Sequence, residues 1–271
     1  MASILNNVAA LRASRQLAIN SLDLEKTLAR LTTGRRINRA ADDAAGLGIG
    51  TKLQADVRVS NQGRRNANDG VSYLQVADGV LEEVTNLLMR AAELVEQAKG
   101  GTVTDTGRSY IDLEFQNIIG SIADLGITAS FNGQPIYGST LTISVGAFSP
   151  IGIAVGTIAD SATSALGLTQ GTDSVRTLAD ATAMKPRITA ALDKINGIRA
   201  AIGATQNQLT AVSNSLGIQS ENLTAAYSQI MDQDMAQAVL DLTKQQILSQ
   251  SGTSAMLQAN QTMQSVLQLL R

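Results

Sequence analysis

Apolar residues recur at every seventh position over long stretches of this chain, and the phase of that recurrence marks out its helices. The clearest run is Ile188, Ile195, Ile202, Leu209, Leu216, Leu223 and Ile230. A helix over about 184–233 would be roughly 75 Å long at 1.5 Å per residue, beyond the diameter of a compact domain of this size, so the pattern predicts a coiled coil or an elongated bundle. A second run begins near residue 71, with Leu74, Leu81, Leu88 and Val95 at one position and Ala77, Val84, Ala91 and Ala98 at the other. Alternation of large and small residues predicts close antiparallel or bundle packing. Gly100-Gly101 closes that helix; Ile111, Phe115, Ile118, Ile122 and Leu125 mark a third, terminated at Gly126. The short glycine-containing link between them predicts a helical hairpin.

The two ends of the chain show the same period with thinner seams. Residues 3–33 carry Leu17, Leu24 and Leu31 seven apart, with Leu28 flanking, and Gly34 follows as the stop signal. Residues 34–50 mix charges with four glycines and read as a connector, and Arg65–Gly70 reads as a turn by propensity. At the far end, residues 245–270 contain no charged side chain; Met256, Met263 and Leu270 are seven apart, Ala259 and Val266 lie between them, and Gly252 predicts a break. In the middle the period changes to two. Leu141, Ile143 and Val145, then Ile151, Ile153 and Val155, alternate with small or polar residues and predict a β-hairpin within 131–160; residues 160–180 carry neither period and read as loop. The fold class is therefore mainly α, an elongated helical bundle or coiled coil of long antiparallel helices with a small β-hairpin region.

A helix of about 30 residues with one narrow seam is marginal alone in water, because ordering entropy is offset only when the seam is buried. Pairing 3–33 with 235–270 buries both seams, yet leaves the uncharged remainder of the C-terminal helix facing outward, which a self-association surface would cover. Periodicity alone leaves open the plainer reading of a monomeric or dimeric coiled-coil scaffold with solvated Gln-rich faces.

Composition narrows the chemistry. There is no His and no Cys among the 271 residues, which removes the commonest general base, the thiolate nucleophile and the usual zinc and iron ligands. No Ser-x-x-Lys, Gly-x-Ser-x-Gly or phosphate-binding Gly-rich loop occurs, so no catalytic, cofactor-binding or metal-ligating residues are expected. Only 3% of residues are aromatic, which makes the core aliphatic. Residues 1–65 carry 11 Lys and Arg against 5 Asp and Glu. That basic segment has no aromatic side chain for base stacking, so it reads as a complement to acidic segments of its own kind and not as a nucleic-acid site. No apolar stretch approaches the roughly 18 residues of a membrane span, and the N-terminus has no secretory-signal pattern, so membrane insertion is not expected.

Several motifs in this sequence resemble those of bacterial flagellin, over essentially the whole chain. Leu31-Thr-Thr-Gly-Arg-Arg-Ile-Asn38 followed by Ala41-Asp-Asp-Ala-Ala-Gly46, and Arg65-Asn-Ala-Asn-Asp-Gly70, are similar to the family's N-terminal signature. Phe131-Asn-Gly133 and Leu141-Thr-Ile-Ser-Val-Gly146 resemble the start of its β-region; Gln246–Thr253, Gln258–Gln261 and Val266–Arg271 resemble its C-terminal signature. The resemblance implies a non-enzymatic subunit of the extracellular bacterial flagellum, exported largely unfolded through the flagellar type III apparatus and polymerised into the filament for motility. Residues 1–46 and 231–271 would form the filament's inner core and 47–230 its outer layer, with no further surface domains. The implied assembly seams are Leu17, Leu24, Leu28, Leu31, Met256, Met263, Val266 and Leu270. The implied partners are many copies of the same chain, the filament cap, the hook-junction proteins and an export chaperone. A surface that the family presents to a Toll-like innate immune receptor maps onto Arg90, Leu94 and Glu114, with Arg90 and Leu94 on one helix face as a charge beside an apolar anchor. The resemblance also admits a hook-filament junction protein, and a cytoplasmic coiled-coil scaffold stays as the reading without it. Where propensity asks for a turn at Arg65–Gly70, the resemblance implies a continuous helix.

Overall fold

The computed structural model describes residues 7–138, 140–146, 148–155 and 166–269, with backbone alone for 154 and 263–269. Among the described residues the chain forms five helices: α1 (Val8–Thr33), α2 (Ala44–Ala98), α3 (Asp105–Thr128), α4 (Leu178–Met231) and α5 (Met235–Leu269). Four short strands lie between α3 and α4, with β1 (Ser130–Phe131) antiparallel to β2 (Gln134–Pro135) and β3 (Thr140–Ile143) antiparallel to β4 (Ile151–Ala154). The chain divides into two compact units, one of Met1–Val57 with Glu221–Arg271 and one of Arg58–Ser220.

In the unit of residues 58–220 the heptad rows become the core. Leu74, Leu81, Leu88 and Val95, the alanine row of Ala77, Ala91 and Ala98, and Ile188, Ile195, Ile202, Leu209 and Leu216 of α4 are all buried in one cluster with Phe115, Ile118, Ile119 and Ile122 of α3. Polar contacts fix the antiparallel pairing of α2 and α4: Arg199 Nε donates to Asp78 Oδ1 at 2.8 Å, Ser213 Oγ to Asn68 Oδ1 at 3.1 Å and Ser220 Oγ to Asn61 Oδ1 at 3.3 Å. Thr104 caps α3 by accepting from Gly107 N, and the nearly buried Arg108 donates from Nε to the carbonyl of Ala98 at 2.8 Å, satisfying one of the carbonyls left open at the end of α2. Strands β3 and β4 pair in the register Leu141↔Ile153 and Ile143↔Ile151, which puts the buried Ile151 and Ile153 opposite the alternating apolar positions. Two tyrosines tie the β-region to α2: Tyr73 donates to the carbonyl of Ile136 at 2.9 Å, and Tyr137 to that of Ala77 at 2.7 Å. Burial pushes the Tyr137 phenol far above its ordinary pKa, with Asp78 adding to the effect.

Several expectations are corrected, for related reasons. The connector is shorter than 34–50, since α2 starts at Ala44 and passes through Gly46, Gly48 and Gly50. Gly50 is there for closeness: a Cβ on it would lie 2.6 Å from Met231 Sδ. Helix α2 continues through Arg65–Gly70, where Asn66 Nδ2 donates to the Ser144 carbonyl at 2.8 Å and Asn68 receives Ser213, so tertiary partners outweigh the weak local propensity. Gly126 does not end α3, which runs to Thr128 with Gly126 buried inside it. Gly252 does not break α5; a Cβ there would stand 3.3 Å from Leu17 Cδ1, so it marks a close approach of two helices. Helix α4 begins at Leu178, earlier than the heptad run suggests, and takes Pro186 into its third turn. Of the segment read as loop, 160–165 lies outside the described residues and 166–177 forms turns.

Candidate functional site

The unit formed by the two chain ends is built on an antiparallel pair, α1 against α5. Asn7 caps α1 by accepting from Ala10 N at 3.0 Å, and its Nδ2 reaches across to the carbonyl of Ala259 at 3.1 Å. At the other end of α1, Gly34 takes the left-handed conformation (φ 68°) and returns its N–H to Arg30 O at 2.8 Å. The chain then meets the start of the C-terminal arm. Arg36 N donates to Met231 O at 2.7 Å, Gln233 N donates to Gly34 O at 3.0 Å, and the Arg36 guanidinium closes on Ile230 O at 2.9 Å. Asp42 holds the loop between α1 and α2 by accepting from Arg39 N at 2.9 Å and Asn38 N at 3.1 Å. Those bonds, more than the charges of Arg30 and Arg39, keep its carboxyl below the usual carboxylate range.

The seam between α1 and α5 is thin, and much of it is polar. Leu17, Leu24, Leu31 and Met256 are only half-buried, and Leu28 points outward. The α1 residues buried at the intervening heptad step are Asn20 and Thr27. Met263 and Val266 lie in the part of α5 described by backbone alone, and Leu270 lies outside the described residues. Among the described residues of this unit few apolar side chains are buried: Ile37, Met231 and Ala238.

The larger apolar surface faces outward. Val8, Leu11 (67% exposed), Ile19 and Leu22 on α1, and Val239, Leu240 (64%), Ile247, Leu248 and Leu257 (64%) on α5, are exposed. Heptad counting misses them because they fall off the seven-residue register; for Ile247, Leu248 and Leu257 the signal in the sequence is the stretch 245–270, which has no charged side chain to keep in water. Between the two helices, Asn7, Val8, Leu11, Ser14, Met256 and Asn260 line an open hollow of about 590 Å³. Exposed apolar surface of this extent is characteristic of interaction sites.

The other predicted surface, in the unit of residues 58–220, is assembled only in part. Arg90 and Glu114 meet, with Nη2 to Oε1 at 2.7 Å and Nε to Oε1 at 2.9 Å, while Nη1 reaches Glu93 Oε2 at 3.0 Å. Glu114, then Glu93, raise the guanidinium pKa further. Leu94, however, is 1% exposed and belongs to the core, so it is not the outward apolar anchor the sequence suggested; heptad phase puts it one residue from Val95 on the inward face. The exposed apolar neighbour of Arg90 is Met89. Among the described residues no three His, Cys, Asp or Glu side chains are placed to hold a metal ion, and no helix is long and apolar enough to cross a membrane.

Two family models match the chain: the bacterial flagellin N-terminal helical region over residues 4–142 and the bacterial flagellin C-terminal helical region over 186–270. The flagellar filament 33 kDa core protein of Treponema phagedenis is 36% identical over 282 residues, covering 98% of this chain and 99% of that protein. Flagellin FlaB2 of Treponema pallidum is 35% identical over 282 residues with the same coverage. A flagellin of Halalkalibacterium halodurans is 35% identical over 269 residues, covering 98% of each chain.

Proposed function

The chain belongs to the bacterial flagellin family and is a structural subunit of the flagellar filament, not an enzyme, and on that premise we propose that α1 and α5 drive its polymerisation. The observation that carries this reading is the outward apolar surface of the two terminal helices, continued by a C-terminal segment without a charged residue from 245 to 270. Each large apolar side chain transferred from water into an interface contributes roughly 1.5–3 kcal/mol before the entropy of association is subtracted. Neighbouring copies supply that interface, so the ends are ordered by assembly and remain easily unfolded outside it. Residues 1–46 and 231–271 then form the inner core of an extracellular filament and 47–230 its outer layer.

Deleting residues 1–33, or separately 245–271, is expected to leave the unit of residues 58–220 helical and soluble while abolishing filaments under negative-stain electron microscopy. Long filaments from either truncated chain would overturn the proposal. The exposed ends also suit the filament cap, the hook-junction proteins and an export chaperone as partners. A Toll-like receptor would engage the monomer through the exposed Arg90–Glu114 pair beside Met89, without Leu94, and a pulldown by disassembled subunits that retains no receptor sinks this contact. A hook-filament junction protein and a cytoplasmic scaffold are not favoured, since the near-full-length relatives are filament core proteins and flagellins.

A further inference from the structure

Charge is distributed unevenly along α2 within the unit of residues 58–220. From 58 to 65 the helix carries Arg58, Arg64 and Arg65 and no acid; from 66 to 89 it carries Asp69, Asp78, Glu82 and Glu83 and no Lys or Arg. Asp78 is answered by Arg199 within the same molecule. The others are not: Arg58, Arg64, Arg65, Asp69, Glu82 and Glu83 are all exposed, and none of them forms an ion pair among the described residues. Arg65 hydrogen-bonds only to the neutral Gln62, Asp69 one turn away leaves it unpaired, and Glu82 makes the smallest contribution to the field on Arg199.

The spacing of these charges is regular. Arg64 and Glu82, like Arg65 and Glu83, are eighteen residues apart, which is five turns at 3.6 residues per turn, so each pair lies on one side of the helix about 27 Å apart along its axis. At 27 Å, more than three Debye lengths at physiological salt, the two pairs do not act on one another within a molecule. A second copy beside the first, displaced by that distance along α2, brings one copy's arginines against the other's glutamates. We propose that this stripe is a lateral contact between copies of this chain, in which Arg64 and Arg65 of one subunit dock on Glu82 and Glu83 of its neighbour. It rests on the filament reading and adds to it a staggered electrostatic register.

The test is seeded elongation of the full-length chain, followed by light scattering and electron microscopy, with wild type, R64E/R65E, E82R/E83R, an equimolar mixture of those two, and the fourfold exchange in one chain. All four positions are exposed and without ion pairs among the described residues, so R64E/R65E should match wild type in helicity and melting, and E82R/E83R, which replaces a carboxylate in the field of Arg199 by a cation, is checked for both before its elongation is read. Each double reversal sets like charges face to face and is expected to raise the critical concentration at least about tenfold. The mixture and the fourfold exchange restore opposite charges at every contact and are expected to grow as wild type does. Double reversals that elongate normally, or a mixture and an exchange that fail along with them, would overturn the stripe while leaving the filament reading intact; failure of wild type itself to elongate is the outcome that sinks the filament reading.

Discussion

Gly63 sits where α2 passes under the turn between β3 and β4, and a Cβ there would stand 2.9 Å from the carbonyl carbon of Val145 and 3.0 Å from the Gly146 nitrogen. Both neighbours are backbone, so the hairpin must move to admit a methyl group. Gly63→Ala is expected to destabilise the unit of residues 58–220 by about 1–3 kcal/mol in chemical denaturation, although alanine is the better helix former. Asp42 has a pH dependence of definite sign. The amides of Arg39 and Asn38 depress its folded pKa below the unfolded value of about 3.9, so its contribution is fully present above that value and disappears as pH falls through the lower folded one. Acid exposure is expected to increase exchange at the Asn38 and Arg39 amides in that window, and Asp42→Asn should remove the window. Neither residue is readable from spacing alone: a glycine in a helix looks like a weakness, and one aspartate of an Asp-Asp pair looks like any other, until the partner backbone is known.

Among the elements, the seven-residue row of α4 changes character along its length. Ile188 to Leu216 are buried, whereas Leu223 and Ile230 are only half-buried. Leu216→Ala is therefore expected to cost about 2–5 kcal/mol and Leu223→Ala clearly less, measured as the shift in unfolding midpoint at constant m-value. The helices and the β3–β4 pairing were legible because heptad and two-residue periods are local consequences of which face is buried. Element ends were less legible. Gly46, Gly50, Gly126 and Gly252 are stop signals by propensity, but each lies inside a helix, and the side chains that crowd Gly50 and Gly252, Met231 and Leu17, come from nearly two hundred and more than two hundred positions away.

At the scale of the whole molecule, the two units are expected to unfold separately in the monomer. The unit of residues 58–220 has a continuous aliphatic core, while the terminal unit has, among the described residues, three buried apolar side chains and a polar seam. Calorimetry of the monomer should show a weak low-temperature transition from the terminal unit ahead of the main one. The low transition should vanish when 1–33 and 245–271 are removed, and should move upward in the polymer, where assembly stabilises the ordered form by mass action. A single transition unaffected by trimming would contradict this division.

By itself the sequence determined the class of the molecule: long antiparallel helices with an aliphatic core, a small β-hairpin, no histidine and no cysteine, and ends too thinly seamed to stand alone. Each of these follows from residue type and spacing, which carry the period of the buried face whatever the partner is. Tertiary structure decided which apolar residues are spent inside and which remain outside. It put Leu94 in the core while leaving Leu11, Leu240 and Leu257 in water, and it turned suspected breaks at glycines into close contacts. It also left Arg64, Arg65, Glu82 and Glu83 without an ion pair among the described residues. Burial and pairing are properties of two segments at once, and one segment's sequence does not contain its neighbour.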